Sequence, residues 1–283
     1  MQVFNSILQL RKELTARRQG GASIGLVPTM GNLHDGHLKL VETARMQTNT
    51  LIATIFVNPL QFGPGEDLAA YPRTLEQDSA KLIAADCDYL FAPSVAAIYG
   101  NNPAQQTMIH VPGVSEAYCG QSRPGHFDGV ATIVCKLFNI VAPDEAFFGL
   151  KDYQQFLVIT KLVRDLAMNI KLVGVETVRE ADGLALSSRN NYLSSEQRKQ
   201  APLLYHLLTS TAKSIEQGNR NFHALQNAAC EQLQNAGLQV DYFTVCNADD
   251  LQPASQNDSN LAILAAVYLG RTRLIDNIRL QLQ

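Results

Sequence analysis

Short apolar runs alternate with helical patterns over the first 175 residues, and this alternation restricts the fold more than any other feature of the chain. Apolar runs of strand length occupy 23–27, 50–58, 88–93, 146–150 and 170–175. Between them, apolar residues recur at steps of three and four, as they do in amphipathic helices. Continuous apolar runs are typical of strands buried on both faces of a parallel sheet. The pattern predicts an α/β fold with a Rossmann-like, doubly wound parallel sheet.

From about residue 177 the pattern changes to helices followed by strands. Residues 194–217 begin with a Ser-containing cap signal and are predicted to form one long helix, with a second helix near 223–237. Three strand-like runs follow, at 240–247, 261–270 and 272–282. We therefore expect two domains, 1–176 and 177–283, of which the second is a smaller α+β lid domain.

Composition and charge argue against several classes of partner. The 283 residues carry a formal net charge of -3, which gives no overall attraction to nucleic acid or to an anionic membrane. Five widely spaced cysteines without a CxxC pair favour reduced thiols in the cytoplasm over disulfides or a zinc site. Ile7, Leu10 and Leu14 predict an amphipathic N-terminal helix rather than a targeting segment, and no run is long enough to span a membrane. Any bound anion must be held by local groups.

The segment PTMGNLHDGH, at 28–37, lies between the first predicted strand and a helix predicted to begin near its last glycine. Ligands of open parallel sheets bind beyond the carboxyl ends of the strands, and a helix N-terminus favours an anion. His34 and His37 would add side-chain donors to the same place. A metal would need a third ligand, and neither His110 nor His126 lies in a matching motif. Phosphate is the favoured ligand, although HxxH also occurs at ordinary helix starts.

Two further loops follow predicted strands at the same edge of the sheet. Asn58 and Gln61 end the second run and offer uncharged amides, which suit a small hydroxylated acid. Lys151, Asp152 and Gln155 follow the fourth run. Taken alone, such amides also satisfy turn backbone, and a lysine there could be a solvated charge.

The segment LALSSRNNYLS, at 184–194, carries hydroxyls and a cation after the fifth predicted strand. Ser187, Ser188 and Arg189 could meet the β- and γ-phosphates of a nucleotide. Taken alone, the same segment is better explained as a cap for the helix that starts near Ser194. Neither a Walker A motif nor GxGxxG is present in the 28–37 loop.

An HxxH phosphate loop at a strand-helix junction resembles the HIGH motif of the adenylate-forming nucleotidyltransferase superfamily. With PTMGNLHDGH, FVNPLQFGPGEDLAAYPRT, FFGLKDYQQ and LSSRNNYL in this order, the chain closely resembles the pantothenate synthetase (pantoate–β-alanine ligase) family. The resemblance runs from about residue 1 to the C-terminus and is strongest over 23–195. Leu186, where a methionine is often found, is a mild departure. The family condenses (R)-pantoate with β-alanine and ATP through a pantoyl adenylate and releases AMP and pyrophosphate.

The resemblance implies a role for each matching residue. His37, His34, Lys151 and Arg189 are expected to be catalytic. Gln61 and Gln155 are expected to bind pantoate, with Gln61 also near β-alanine and Asn58 supporting that pocket. Asp152 is expected near the ribose or a metal-bound water, and Val178 near adenine. The full set expected to bind ATP is Met30, Gly31, Asn32, Leu33, His34, Asp35, Gly36, His37, Gly149, Leu150, Lys151, Asp152, Val178, Leu186, Ser187, Ser188 and Arg189.

The resemblance further implies Mg²⁺ held through ATP phosphates without a direct protein ligand, and a homodimer formed through the N-terminal domain. Because a mixed anhydride hydrolyses readily, we expect a closable site, with 61–67 and 184–190 as candidate lids. Two alternatives stay open. One is another HIGH-type enzyme whose nucleotidyl group remains in its product, and the other is a nucleotide-binding regulatory module that has lost catalysis.

Overall fold

The computed structural model describes residues 1–282, which contain nine strands and ten α-helices. The strands are β1 (Gln2–Phe4), β2 (Ile24–Thr29), β3 (Thr50–Ile55), β4 (Tyr89–Phe91), β5 (Glu145–Gly149), β6 (Lys171–Val175), β7 (Gln239–Asn247), β8 (Asn260–Leu269) and β9 (Thr272–Gln281). The helices are α1 (Ile7–Gln19), α2 (Asp35–Gln47), α3 (Leu75–Ala84), α4 (Val95–Tyr99), α5 (Cys119–Ser122), α6 (His126–Val141), α7 (Tyr153–Asp165), α8 (Ser195–Gln200), α9 (Leu203–Glu216) and α10 (Phe222–Asn235). Short 3-10 turns occur at Pro59–Gln61, Pro103–Gln105, Leu150–Asp152 and Ser188–Tyr192.

The first six strands form one sheet in the order β1-β4-β3-β2-β5-β6, and every neighbouring pair is parallel. This confirms the predicted doubly wound α/β fold. The strand order reverses between β2 and β5, because the chain first builds outward through β3 and β4 and later returns to the other side of β2. Such a reversal opens a crevice beyond the carboxyl ends of the two strands.

Alternate residues of the central strands pack on opposite faces of the sheet. Leu26 faces a core with Leu10 and Leu14 of α1 and with apolar residues of α6. Its neighbour Val27 faces a second core with Val41 of α2 and residues of α3. Both faces are therefore covered by helices, which is why these strands read as continuous rather than alternating apolar runs.

The last three strands form a separate antiparallel sheet in the order β7-β8-β9. Leu207 and Leu208 of α9 and Leu233 of α10 pack against it in a core of their own. A smaller apolar cluster connects the parallel-sheet part of the molecule to the antiparallel sheet. In it, Tyr153 of α7 packs in the same group as Leu264 of β8. The C-terminal sheet is thus seated against the elements that follow β5.

Two details of the sequence-based prediction differ from the structure. The single helix expected over 194–217 is wrong, because α8 ends at Gln200 and α9 begins at Leu203. Pro202 stands at the start of α9, where its missing N-H is tolerated, although inside a continuous helix it would remove a hydrogen bond. The predicted cap at Ser194 is confirmed, as its side chain accepts the Gln197 N-H in a capping box. Strand β1 was missed, since three residues at a sheet edge leave no periodic signal.

All five cysteines are free thiols. Within residues 1–282, no helix is long and apolar enough to cross a membrane.

Candidate active site

A cavity of about 250 Å³ opens at the strand-order reversal, beyond the carboxyl ends of β2 and β5. It is lined by the loops after β2, β3 and β5 and by the segment after β6. Fifteen residues singled out from the sequence line it: Met30, His34, Gly36, His37, Asn58, Gln61, Gly149, Lys151, Asp152, Gln155, Val178, Leu186, Ser187, Ser188 and Arg189. Segments far apart in the chain therefore share one crevice.

Five residues expected to bind ATP do not line this cavity: Gly31, Asn32, Leu33, Asp35 and Leu150. Leu33 and Leu150 are buried among apolar side chains instead. Asn32 accepts a hydrogen bond from the Ser188 hydroxyl through its carbonyl, at 3.3 Å. The side chains of Leu33 and Leu150 therefore support the loops that carry the lining residues, whereas Gly31 and Asn32 take part through their backbone and Asp35 is exposed.

The loop before α2 is fixed from beneath by α3. The buried Asp78 carboxylate accepts the N-H groups of Asn32 and Leu33, at 2.8 and 2.7 Å, and the Thr74 hydroxyl at 3.0 Å. The Lys81 ammonium donates to the Leu33 carbonyl at 2.5 Å. Loop residues therefore cannot shift without exposing a buried, hydrogen-bonded charge.

His34 and His37 form a capping box at the start of α2. Nδ1 of His34 accepts the Gly36 N-H at 3.2 Å, and Nδ1 of His37 accepts the His34 N-H at 3.3 Å. The His34 carbonyl accepts the N-H groups of His37 and Leu38. At this helix start, most of the backbone N-H groups that could bind an anion are thus already hydrogen-bonded. The two imidazoles lie where such an anion would bind.

This bonding sets the protonation of both imidazoles. Because each Nδ1 is an acceptor, each ring carries its proton on Nε2. Burial lowers the pKa of His34 to about 4, helped by the nearby Lys151 ammonium. Burial, with His34 as the next cause, lowers the pKa of His37 to about 3. Two neutral Nε2-H donors with ring centroids 4.1 Å apart therefore stand in the cavity wall near neutral pH.

The turn after β3 holds Gln61 in one orientation. Asn58 is buried, and its amide donates to the Gly129 carbonyl at 3.0 Å and to Gln61 Oε1 at 3.1 Å. Asn58 Oδ1 accepts the Tyr99 hydroxyl at 2.8 Å. With Oε1 occupied, the Gln61 amide N-H faces Met30 Sδ, 3.0 Å away, and the cavity. Asn58 lines the pocket as a support, whereas Gln61 presents a donor.

Two cations, Lys151 and Arg189, line the crevice. Lys151 is mostly buried and its ammonium is 3.9 Å from the Asp152 carboxylate, which is about half exposed. Arg189 donates to Asp67 Oδ1 at 2.9 Å, so the segment after β6 is joined to the loop after β3. The two expected lid segments are thus in contact with each other in this structure.

Arg123, His126 and Tyr71 also line the cavity, and the sequence-based reasoning missed them as site residues. His126 Nδ1 donates to the Gln61 carbonyl at 2.7 Å, while its Nε2 accepts from Arg123 at 2.9 Å. Arg123 binds both oxygens of Glu66, at 2.7 and 2.6 Å. Burial lowers the pKa of His126 to about 4, with the Arg123 charge as the second cause. The sequence signal for Arg123 and His126 is the RPGH segment directly before a predicted helix, and Tyr71 lies in the FVNPLQFGPGEDLAAYPRT segment.

One wall of the cavity is apolar. Val130, Ile133, Val134 and Leu137 lie on one face of α6 at three- and four-residue steps and line the cavity beside Phe148 of β5. Such a wall suits a ligand with aliphatic groups. Within residues 1–282, no group of three or more His, Cys, Asp or Glu side chains could hold a metal ion.

Comparison with known proteins shows the family to which the chain is similar. The sequence model of the family described as Pantoate-beta-alanine ligase matches residues 2–279. A protein of Pseudomonas fluorescens (strain Pf0-1) named Pantothenate synthetase is 54% identical over 282 residues, covering 100% of this chain and 99% of its own. A protein of the same name from Alteromonas mediterranea is 51% identical, with 99% of both chains covered.

Solved structures are similar over the whole fold. The crystal structure of pantothenate synthetase from Thermus thermophilus has a TM-score of 0.92 and 44% identity, covering 98% of this chain and 99% of that one. The pantoate-beta-alanine ligase from Francisella tularensis, complexed with beta-gamma ATP and beta-alanine, has a TM-score of 0.80 and 34% identity, covering 98% and 97%.

Proposed function

Since this chain belongs to the pantoate–β-alanine ligase family and joins pantoate to β-alanine at the expense of ATP, we propose that the cavity beyond β2 and β5 is where pantoate is adenylated. The carboxylate of pantoate attacks the α-phosphorus of ATP, a P-O bond to pyrophosphate breaks, and pantoyl adenylate forms. The amine of β-alanine then attacks the acyl carbon. A C-N bond forms, the C-O bond to AMP breaks, and the amine proton leaves to the phosphate or to water.

In the first step, an anionic carboxylate must approach an anionic phosphate. The Nε2-H groups of His34 and His37, together with Lys151 and Arg189, reduce this repulsion and stabilise charge that moves to the pyrophosphate. His37 acts as a neutral donor rather than as an acid, since its lowered pKa leaves little imidazolium near neutral pH. Ser187 and Ser188 add hydroxyl donors, and Asp152 lies near the ribose or a metal-bound water.

The pantoate subsite is formed by the amides of Gln61 and Gln155 against the apolar face of α6. Pantoate carries two methyl groups on a quaternary carbon and two hydroxyls, so it needs both an aliphatic wall and a few polar partners. Val130, Ile133 and Phe148 supply the wall. Gln61 lines the same cavity as His34, so a carboxylate held by its amide has the α-phosphate within reach.

For the adenine, the 178–186 hairpin offers the edge of its backbone. The Val178 carbonyl accepts the Leu186 N-H at 3.0 Å, so a contact from Val178 comes from its own N-H. Leu186 then leads into Ser187–Arg189 over the triphosphate. Gly31–Leu33 and Leu150 act from behind the lining, through the loop and the turn that they support, and the exposed Asp35 begins α2 next to them.

Mg²⁺ would be held through phosphate oxygens, and the half-exposed Asp152 carboxylate is the residue that would accept hydrogen bonds from its waters. When bound, it would neutralise charge on the β- and γ-phosphates. We also propose a homodimer formed through the N-terminal domain. Its edge strand β1 carries Val3, which is 47% exposed, and Leu8 of the adjoining α1 is 79% exposed. The free thiols fit a cytoplasmic location.

We place the boundary between the two domains at residues 176 and 177. The parallel and antiparallel sheets, each with its own apolar core, support it. On this division the smaller domain, 177–283, carries the segment with Arg189 and is the lid.

The observation that carries the proposal is the meeting of two neutral imidazole donors, two cations and two amides in one crevice with an apolar wall. The decisive experiment mixes the enzyme with ATP and Mg²⁺, adds pantoate and then β-alanine, and follows AMP, pyrophosphate and the amide. Pyrophosphate exchange into ATP that requires pantoate, and AMP that appears with the amide, are expected. ADP formation, or turnover indifferent to pantoate, would contradict the adenylation.

A further inference from the structure

Asn277 of β9 holds the turn that presents Lys151. Its side-chain amide donates to the carbonyl of Leu150 at 2.9 Å and to that of Lys151 at 2.8 Å. Asn277 is 7% exposed. Because the two N-H bonds of one buried amide are used on two successive carbonyls, the 3-10 turn Leu150–Asp152 is fixed from the C-terminal sheet.

The preceding residue, Asp276, holds a different segment. Its Oδ2 accepts from Nη1 of Arg179 at 2.6 Å, and its Oδ1 accepts from Nη2 at 2.9 Å. Oδ1 also accepts the backbone N-H of Asn277 at 2.8 Å. A buried, two-pronged arginine-carboxylate pair has a defined geometry as well as strength. Asp276 and Asn277 are therefore locked to each other and to Arg179.

Arg179 is built into the hairpin from which the 186–189 segment emerges. Its Nη1 donates to the Gly183 carbonyl at 3.1 Å, and its guanidinium carbon lies 3.8 Å from the centroid of the Tyr205 ring. Arg179 pairs with Ala185 across the hairpin. A Cβ on Gly183 would come within 2.4 Å of Tyr205, so only glycine allows this stacking. Movement of Arg179 would move the base of the segment that carries Arg189.

We infer that Asp276 and Asn277 are positioning residues for the adenylation step. Through them, one strand of the C-terminal sheet sets the distance between the two arms of the phosphate site, Lys151 on one side and Ser187–Arg189 on the other. This inference rests on the proposed role of those two arms in binding ATP. A small misplacement of either cation weakens the contact to phosphate, although neither Asp276 nor Asn277 touches the nucleotide.

A double-mutant cycle of Asn277→Ala and Lys151→Ala tests the inference. Dissociation constants of a non-hydrolysable ATP analogue are measured by calorimetry, and the KM of pantoate by steady-state kinetics. Asn277→Ala is expected to weaken analogue binding about five- to tenfold, as the loss of about one kcal/mol implies, while the pantoate KM changes less than about twofold. In the Lys151→Ala background, Asn277→Ala should raise the dissociation constant of the analogue by less than about a further twofold. The matched control is Asn260→Ala. Asn260 lies on β8 of the same sheet, and the substitution removes an amide that donates to Asp249.

Asn277→Asp is the second variant, because it keeps the side-chain size but cannot donate to the carbonyls when ionised. It should weaken analogue binding at least as much as Asn277→Ala. Full additivity of the Asn277 and Lys151 effects on analogue binding would show that Asn277 has a general structural role. A rise in the pantoate KM as large as the loss of analogue binding would show the same. Either result would overturn the inference but leave the proposed phosphate site intact. If Lys151→Ala leaves analogue binding unchanged, the proposed phosphate site fails, and the inference fails with it.

Discussion

At the level of single residues, His37 combines two tasks that sequence patterns usually separate. Its Nδ1 completes the cap of α2 by accepting the His34 N-H, and its Nε2-H faces the cavity. In the common capping box the same helix position is filled by Glu or Gln. The two tasks can therefore be separated by choosing replacements that restore the cap with different charges.

We expect His37→Ala to lower the rate of adenylation by roughly two to three orders of magnitude, which is the scale of losing one transition-state donor. The free energy of unfolding of the His37→Ala variant should fall by about 1 kcal/mol, because the cap of α2 is lost. His37→Glu should recover the stability but not the rate, because it places an anion beside the phosphate. Pantoate-dependent exchange of pyrophosphate into ATP and urea unfolding measure the two quantities. Near-normal exchange in His37→Ala would remove His37 from its role.

Gln61 is expected to discriminate between the substrates. Its Oε1 accepts from Asn58 and one amide N-H is directed at Met30 Sδ, so the second N-H is available for pantoate. Gln61→Ala should raise the pantoate KM far more than the ATP KM, and Gln61→Glu should be worse, because a carboxylate would face the pantoate carboxylate. Steady-state kinetics with each substrate varied in turn check this. Equal rises in both KM values would contradict the assignment of the pantoate subsite.

At the level of elements, the two loops expected to act as lids are joined by one ion pair, in which Asp67 accepts from Arg189. A second ion pair joins Glu66 of the 61–67 loop to Arg123, which lies between α5 and α6. The bound adenylate must be kept from water until β-alanine arrives. Contacts that hold the 61–67 loop closed should therefore govern how much intermediate is lost to hydrolysis.

We expect Asp67→Ala to uncouple the reaction, because Arg189 then loses its partner on the facing loop. AMP should form in excess over the amide product, whereas the native enzyme should give a ratio near one. Parallel chromatography of AMP and amide at limiting β-alanine measures the ratio. Glu196→Ala, which removes an exposed partner of Lys199, serves as the control and should keep the native ratio. A ratio near one in Asp67→Ala would show that this ion pair does not control closure.

The elements that the sequence predicted well are those whose residues carry a periodic signal. The strands β2 and β3 are buried on both faces, and α2 shows its apolar face at regular steps, so both leave a pattern in consecutive residues. His34 and Lys151 were found because strand ends in a parallel sheet converge at one edge. The pairs Asp67–Arg189 and Glu66–Arg123 were not, since each joins distant loop residues whose side chains follow no period.

Asp78 illustrates the same limit. Within the sequence it is one of several acidic residues at the start of an amphipathic helix, where a solvated carboxylate is the ordinary expectation. In the structure it is 1% exposed and binds the backbone of the loop that carries the histidines. Only the packing of α3 beneath that loop distinguishes it from its neighbours.

At the scale of the whole molecule, three histidines with lowered pKa values tie the stability of the fold to pH. Burial lowers the pKa of His34 and His126 to about 4 and that of His37 to about 3. The unfolded chain takes up protons on these groups near pH 6.5, whereas the folded protein does so only below about pH 4. The stability that these three histidines contribute is therefore fully present above about pH 6.5. It is lost as the pH falls from about 6.5 towards the folded-state pKa values.

His110 has the opposite sign. Its hydrogen bond to Asp128 raises its pKa, so its contribution is present below about pH 6.5 and is lost as the pH rises through the folded-state value. Its exposed position makes this contribution small. The net result should be a stability that decreases on acidification.

We expect the free energy of unfolding to fall between pH 7 and pH 5 by about 1 to 2 kcal/mol for each of His34, His37 and His126. Urea unfolding at the two pH values measures the difference. His37→Gln should reduce this pH-dependent difference by the contribution of one histidine, because glutamine keeps the cap but cannot be protonated. His223→Gln, at an exposed position on α10, is the control and should leave the difference unchanged. An unchanged difference in His37→Gln would mean that His37 does not hold a lowered pKa in the folded enzyme.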